Sequence, residues 1–177
     1  MLPFTFDDLA DRFSKVRPWA AAHFGEINRC AICMGFTLRL SPSKQEGDAS
    51  LGDLVDAGKK IAGAERIEGG PQGDYGSVFF IRASELLPRV QRAFGRADVE
   101  GPANQVWSQV QGIKGVLFIE NCYPTAGDKS WTIKGIYEPT SGDHWDLFDG
   151  MVMVTEKEPI RDNRHSGALY FWKARSH

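Results

Sequence analysis

The stretch from His144 to Thr155 constrains the fold more than any other part of this chain. His144-Trp145-Asp146-Leu147-Phe148 and Met151-Val152-Met153-Val154-Thr155 are two runs of strand-forming residues on either side of Asp149-Gly150. Asp-Gly suits the central positions of a type I′ turn, where positive φ is required and the twist matches that of paired strands. The spacing therefore predicts a two-residue hairpin. In that register Phe148 pairs with Met151, Asp146 with Met153, and His144 with Thr155.

Further strands surround this hairpin in the C-terminal half. Val116-Leu117-Phe118-Ile119, Thr132–Tyr137 and Ala168–Lys173 are short apolar or alternating runs. Helical spacing dominates earlier. Thr5 or Asp7 can cap a helix carrying Leu9, Phe13 and Val16 on one stripe, with Pro18 marking its end. Asn28–Leu40, closed by Ser41-Pro42, reads as a buried helix with Asn28 as N-cap and Ile32, Phe36 and Leu40 on one face. A short helical stretch falls near Leu51–Ala62, a loop at Gly69–Gly73, and a strand at Ser77–Ile81. Ser84 can cap a helix through Leu86, Leu87, Val90 and Phe94 that stops at Gly95 and tolerates Pro88 in its first turns. A further short helix is expected over Ala103–Val110. Helices first and an antiparallel sheet after define an α+β domain, and no repeat or linker divides residues 1–177.

With 21 Lys+Arg against 23 Asp+Glu the net charge is −2. That lacks the long-range positive field of a general nucleic-acid binder. No apolar run is long enough for a membrane span, and Met1–Asp8 lacks the basic and apolar regions of a secretory signal. Three cysteines in 177 residues do not make a disulfide scaffold. The candidates for chemistry are few.

Cys30 lies in the first turn of its helix, where unpaired N–H groups and the helix dipole favour an anion. This is the place for a nucleophilic thiol, and its own backbone N–H can help hold an oxyanion. It is equally a place where a small buried cysteine can sit. Cys30-Ala31-Ile32-Cys33 is formally C-x-x-C, yet without a preceding strand or a second ligand pair it supports neither a redox motif nor a zinc site. His165 and His177 lie among polar residues, and His23 suits a local structural role. Only His144 begins a defined strand, beside a Gly142-Asp143 turn, as a well-held catalytic base would. An imidazole in that role needs an acceptor on its second nitrogen. Thr155, placed opposite, offers a hydroxyl. Asp146, two residues along the same strand face, offers a carboxylate; Glu156 would point to the other face. Asp48, Asp53 and Asp56 look like a solvated helix flank, Gly69–Gly73 is no phosphate loop, and Trp107, Trp131 and Trp145 suit core packing or a cleft wall. No cofactor or metal is implied.

Taken together, Asn28–Leu40, Gly112–Phe118, Gly142–Gly150 and Leu169–Trp172 resemble the type VI secretion amidase effectors of the fourth family, within the papain-like NlpC/P60 class. The resemblance implies a nucleophile helix packed on an antiparallel sheet. It also implies a cysteine endopeptidase that cuts the D-glutamyl–meso-diaminopimelate bond of peptidoglycan stem peptides. Cys30 matches the family's nucleophile and His144 its base. The family's third residue is an acid on the strand after the histidine, a place that falls at Thr155. The polar stretch Tyr123–Asp143 exceeds the family's usual connection, which would reshape the cleft. A cognate immunity protein and a secretion apparatus are the implied partners. The implied location is the target cell's periplasm, reached without a signal peptide, where Cys33 and Cys122 could pair as a disulfide. The alternatives are another cysteine protease, deamidase or acyltransferase on this scaffold, or a non-catalytic binding domain.

Overall fold

Local chemistry starts the first helix, α1, at Phe6–Phe24. Thr5 Oγ1 accepts from the Asp8 N–H at 3.2 Å and donates to Asp8 Oδ2 at 2.7 Å, while the Thr5 N–H donates to the same oxygen at 3.3 Å. This is a capping box with Asp in the usual place of Glu. Thr5 is therefore the cap, as one of the two residues expected. Pro18 does not end the helix. Leu9, Phe13, Val16 and Ala20 form a buried stripe that continues on both sides of it. Burying that stripe outweighs the roughly 3 kcal/mol that an interior proline costs.

The computed structural model describes residues 1–24, 29–40, 83–123, 142–155 and 167–176. The expectations at Asn28, Leu51–Ala62, Gly69–Gly73, Ser77–Ile81, Thr132–Tyr137 and Glu156 lie outside these residues. The chain divides into two compact units: Pro3–Arg96 with Arg175–His177, and Met1–Leu2 with Ala97–Ala174.

The first unit is helical in its described residues. Beside α1, helix α2 runs Cys30–Thr37, shorter than the thirteen-residue span expected. Ala31, Ile32, Cys33, Met34 and Thr37 are all buried, so α2 has no solvated face along most of its length. It ends because Arg39 turns left-handed, at φ 58°. The Arg39 N–H then reaches the Phe36 carbonyl and the Leu40 N–H reaches that of Gly35, at 3.0 and 2.8 Å. That pair of bonds is a Schellman motif. Helix α3 spans Ala83–Phe94, so Ser84 lies inside it and not at its cap. Leu86 and Val90 are buried, and Gly95 at φ 81° stops it where expected.

In its described residues the second unit is built on a four-stranded antiparallel sheet: β1 (Val99–Pro102), β2 (Gly115–Tyr123), β3 (Gly142–Phe148) and β4 (Ala168–Lys173), in the order β1-β4-β2-β3. A short helix, α4 (Ala103–Val106), and a 3-10 turn at Trp107–Gln109 follow β1. One face of the sheet carries Leu117, Ile119, Phe148, Leu169 and Phe171, which pack with Val106 and Val110. The opposite face carries Val116, Phe118, Trp145, Leu147 and Trp172, all fully buried. The Trp145 ring centroid lies 4.8 Å from that of Phe118 and 5.8 Å from that of Trp172. Among these residues the fold is α+β, as the sequence indicates.

The hairpin register differs from the one expected. Phe148 bridges Met153 and not Met151. Asp149 Oδ1 accepts from the N–H groups of both Met151 and Val152, at 2.8 Å each. Asp149 thus uses its side chain to widen the connection to four residues, an Asx turn in place of a two-residue type I′ turn. Beyond it, 151–155 makes one bridge and no continuous strand.

Candidate active site

The His144 side chain is fixed by the end of β3. His144 pairs with Ile119 of β2, and just beyond that pair the ladder slips. Asn121 takes φ 51° there, and its N–H donates to Asp143 Oδ1 at 3.2 Å. A bulge of this kind re-aims the neighbouring side chains. His144 is 5% exposed, on the sheet face of Leu117 and Ile119.

Asp146 lies on that same face and is completely buried. Its Oδ1 accepts from the Leu147 N–H at 2.8 Å and from Thr155 Oγ1 at 2.9 Å. The Thr155 N–H divides between the two oxygens, 3.2 Å from Oδ1 and 3.0 Å from Oδ2. Oδ2 also lies 3.6 Å from His144 Nε2, ion-pair range and slightly beyond hydrogen-bond length. Burying a carboxylate without such donors would be costly; here they compensate it. The structure therefore brings His144, Asp146 and Thr155 together. Thr155 was expected opposite His144 and instead stands opposite Asp146, because the wider turn moves the register by two residues. A two-residue shift keeps the same face inward, so the hydroxyl stays near the site but on a different partner.

Cys30 is the first residue of α2, half-buried, following an Arg29 N-cap that makes no side-chain capping bond. Cys30 belongs to the helical unit and His144 to the sheet unit. Cys30, Cys33 and Cys122 are thiols in this structure, with Cys33 in the helical unit and Cys122 in the sheet unit. Trp145 is core, and Trp107 packs edge-on against Phe148 at 5.6 Å. Among the described residues no cluster of His, Cys, Asp or Glu could hold a metal ion, and no helix is long and apolar enough to cross a membrane. Sequence reading missed the bulge at Asn121, for which no local signal exists. It also missed the Thr155–Asp146 link, which a four-residue turn count would have supplied.

This arrangement of helices and sheet is the fold of a set of bacterial type VI effectors. One is the type VI effector Tae4 from Enterobacter cloacae, at TM-score 0.59 and 13% identity, covering 98% of each chain. Another is the effector Tae4 from Salmonella typhimurium in complex with the immunity Tai4 from Enterobacter cloacae, at TM-score 0.56 and 14% identity over 97% of this chain and 99% of that one. The type VI effector-immunity complex Tae4-Tai4 from Enterobacter cloacae matches at TM-score 0.58 and 13% identity, covering 98% of this chain and 100% of that one. No protein-family model matches the sequence, and no curated protein matches it.

Proposed function

We propose that this protein is an antibacterial type VI effector that cuts peptidoglycan stem peptides as a papain-like cysteine amidase of the NlpC/P60 class. The bond is D-glutamyl–meso-diaminopimelate. Cys30 is the nucleophile and His144 the general base, with an orienting partner supplied by Asp146 or Thr155. The observation that carries the reading is the buried His144 ring facing the Asp146 carboxylate at 3.6 Å, in a chain that shares the Tae4 fold along nearly its whole length.

The chemistry is acyl transfer. The Cys30 thiol gives its proton to His144 and its sulfur attacks the amide carbonyl, forming a tetrahedral oxyanion beside the N-terminus of α2. His144 passes that proton to the leaving amine, the C–N bond breaks, and a thioester remains. Water, deprotonated by the same imidazole, attacks the thioester and returns the thiol. General-base and oxyanion contributions of this kind are each worth roughly two to four kcal/mol of barrier. A cognate immunity protein covering the cleft is the natural partner, as Tai4 is of Tae4 in the similar structures. The place of action is the periplasm of a target cell, reached through a secretion apparatus. Cofactor and metal have no part in these steps.

Cys30→Ala is expected to abolish cleavage of purified muropeptides while leaving the melting temperature within a few degrees of the parent. Mass analysis of the products should place the cut between the D-glutamyl and diaminopimelate residues. Cleavage that persists in Cys30→Ala would sink the proposal. Products of unaltered mass alongside a deamidated protein substrate would instead favour the deamidase reading.

A further inference from the structure

Register, more than residue type, determines which group faces the His144 ring. The two candidates for orienting it are an aspartate on its own strand and a threonine across the turn. The four-residue connection after β3 sets Phe148 against Met153, and two positions outward it sets Asp146 against Thr155. The Thr155 hydroxyl is then spent on Asp146 Oδ1, which also takes the Leu147 N–H. Oδ2 receives only the shared Thr155 N–H from these donors, and Oδ2 is the oxygen turned to His144 Nε2.

We infer that Asp146 is the positioning residue that fixes the His144 imidazole through Nε2, and that Thr155 serves it by clamping the carboxylate. This rests on the reading of Cys30 and His144 as thiol and base. The acid lies on the histidine's own strand, two residues along, and the position where the family resemblance places an acid holds a hydroxyl. An Asp146 carboxylate in this role would favour the tautomer with its proton on Nε2. A purely structural Asp146, tying Thr155 to β3, would account for the donors on Oδ1. It gives no reason for Oδ2 to face a buried imidazole.

The test compares the parent with Asp146→Asn, Thr155→Val and Thr155→Ser. It reads kcat and KM on purified muropeptides, the melting temperature, and the pH dependence of iodoacetamide labelling at Cys30, read by peptide mass. Asp146→Asn keeps the shape of the side chain and should lower kcat by about a hundredfold or more with KM little changed. Its labelling profile should move its basic limb to lower pH, because an imidazolium deprived of a neighbouring anion loses its proton sooner. Thr155→Val should lower kcat by about tenfold, as expected for loss of one support to the carboxylate, and Thr155→Ser should restore it. Asp146→Asn with parental kcat and an unmoved basic limb overturns the assignment. So does Thr155→Val falling further than Asp146→Asn. If Asp146→Asn does not fold, the threonine pair decides: a parental Thr155→Val overturns the clamp. A parent whose Cys30 labels with the pH dependence of an ordinary free cysteine overturns the reading of Cys30 with His144 instead, before Asp146 is in question.

Discussion

Arg39 holds a left-handed backbone, φ 58°, that its side chain does nothing to favour. It sits at the position after the C-cap of α2, where the Schellman bonds to Phe36 and Gly35 require that conformation and where glycine is usual. A Cβ in this region costs about 1–2 kcal/mol, whereas glycine adds about 0.5–1 kcal/mol of unfolded-state entropy. The difference favours Arg39→Gly by roughly 0.5–1 kcal/mol, seen as a higher melting temperature. Arg39 also adds its charge near Arg12, which is 4% exposed and lies 4.4 Å over the Phe4 ring. Burial first, and the Arg39 charge second, hold the Arg12 guanidinium below the usual arginine value. Arg39→Ala separates the two effects, since it removes the charge and keeps the Cβ. An equal gain from Arg39→Ala would assign the effect to charge and contradict the strain argument.

Among the elements, α1 shows most directly what was legible and what was not. Its start was written in Thr5-x-x-Asp8, because that cap uses only residues within one turn. Its length was not, because the reason Pro18 is tolerated is the burial of Val16 and Ala20, a tertiary fact. The turn after β3 failed for a different reason. Asp is favoured both in a type I′ pair and as an Asx acceptor, and Asp149 takes the second role. That one choice moved Thr155 from His144 to Asp146. That Cys30 opens a helix and His144 lies on a strand was thus readable from local pattern, while which residue stands opposite Asp146 hung on a turn. The cap on α1 has a pH signature of its own. The Asp8 carboxyl is held below its ordinary 3.8 by the Thr5 side-chain bond and next by the Thr5 backbone bond. A lowered folded value means stability that is present above pH 3.8 and lost as pH falls through the folded value. Thr5→Ala should therefore cost about 1 kcal/mol near neutral pH, measured by urea unfolding. The gap to the parent should narrow below the ordinary carboxylate range, as Asp8 protonates in both proteins. A gap of the same size at pH 7 and pH 2.5 would show that the carboxylate takes no part in the cap.

For the molecule as a whole, the sheet order is the feature that local pattern could not supply. The helices-then-strands order indicates the α+β class, yet β1 carries no local strand signal because Val99-Glu100-Gly101-Pro102 contains two residues that disfavour strands. Pro and Gly are admissible there because, among the described residues, β1 is an edge paired with β4 alone. The last strand in the chain is consequently an inner strand, bonded to β1 on one side and β2 on the other. Leu169, Phe171 and Trp172 on it are fully buried, on both faces of the sheet. Each such side chain contributes about 1.5–3 kcal/mol by burial, before any ladder hydrogen bond is counted. Their sum alone approaches the 5–15 kcal/mol that holds a typical domain together. Removing residues 168–177 should therefore abolish cooperative thermal unfolding and the near-ultraviolet circular dichroism of the buried tryptophans. A synthetic peptide spanning β4, added in trans, should restore part of that signal, since the gap between β1 and β2 offers two complementary edges. A truncated chain that still melts cooperatively would mean that β4 is an accessory strand and that β2 and β3 suffice. The same argument bears on the site. His144 and Asp146 lie on β3, which among the described residues pairs with β2, and β2 in turn is backed by β4. The support for the imidazole is thus completed by Ala168–Lys173, distant from it in sequence.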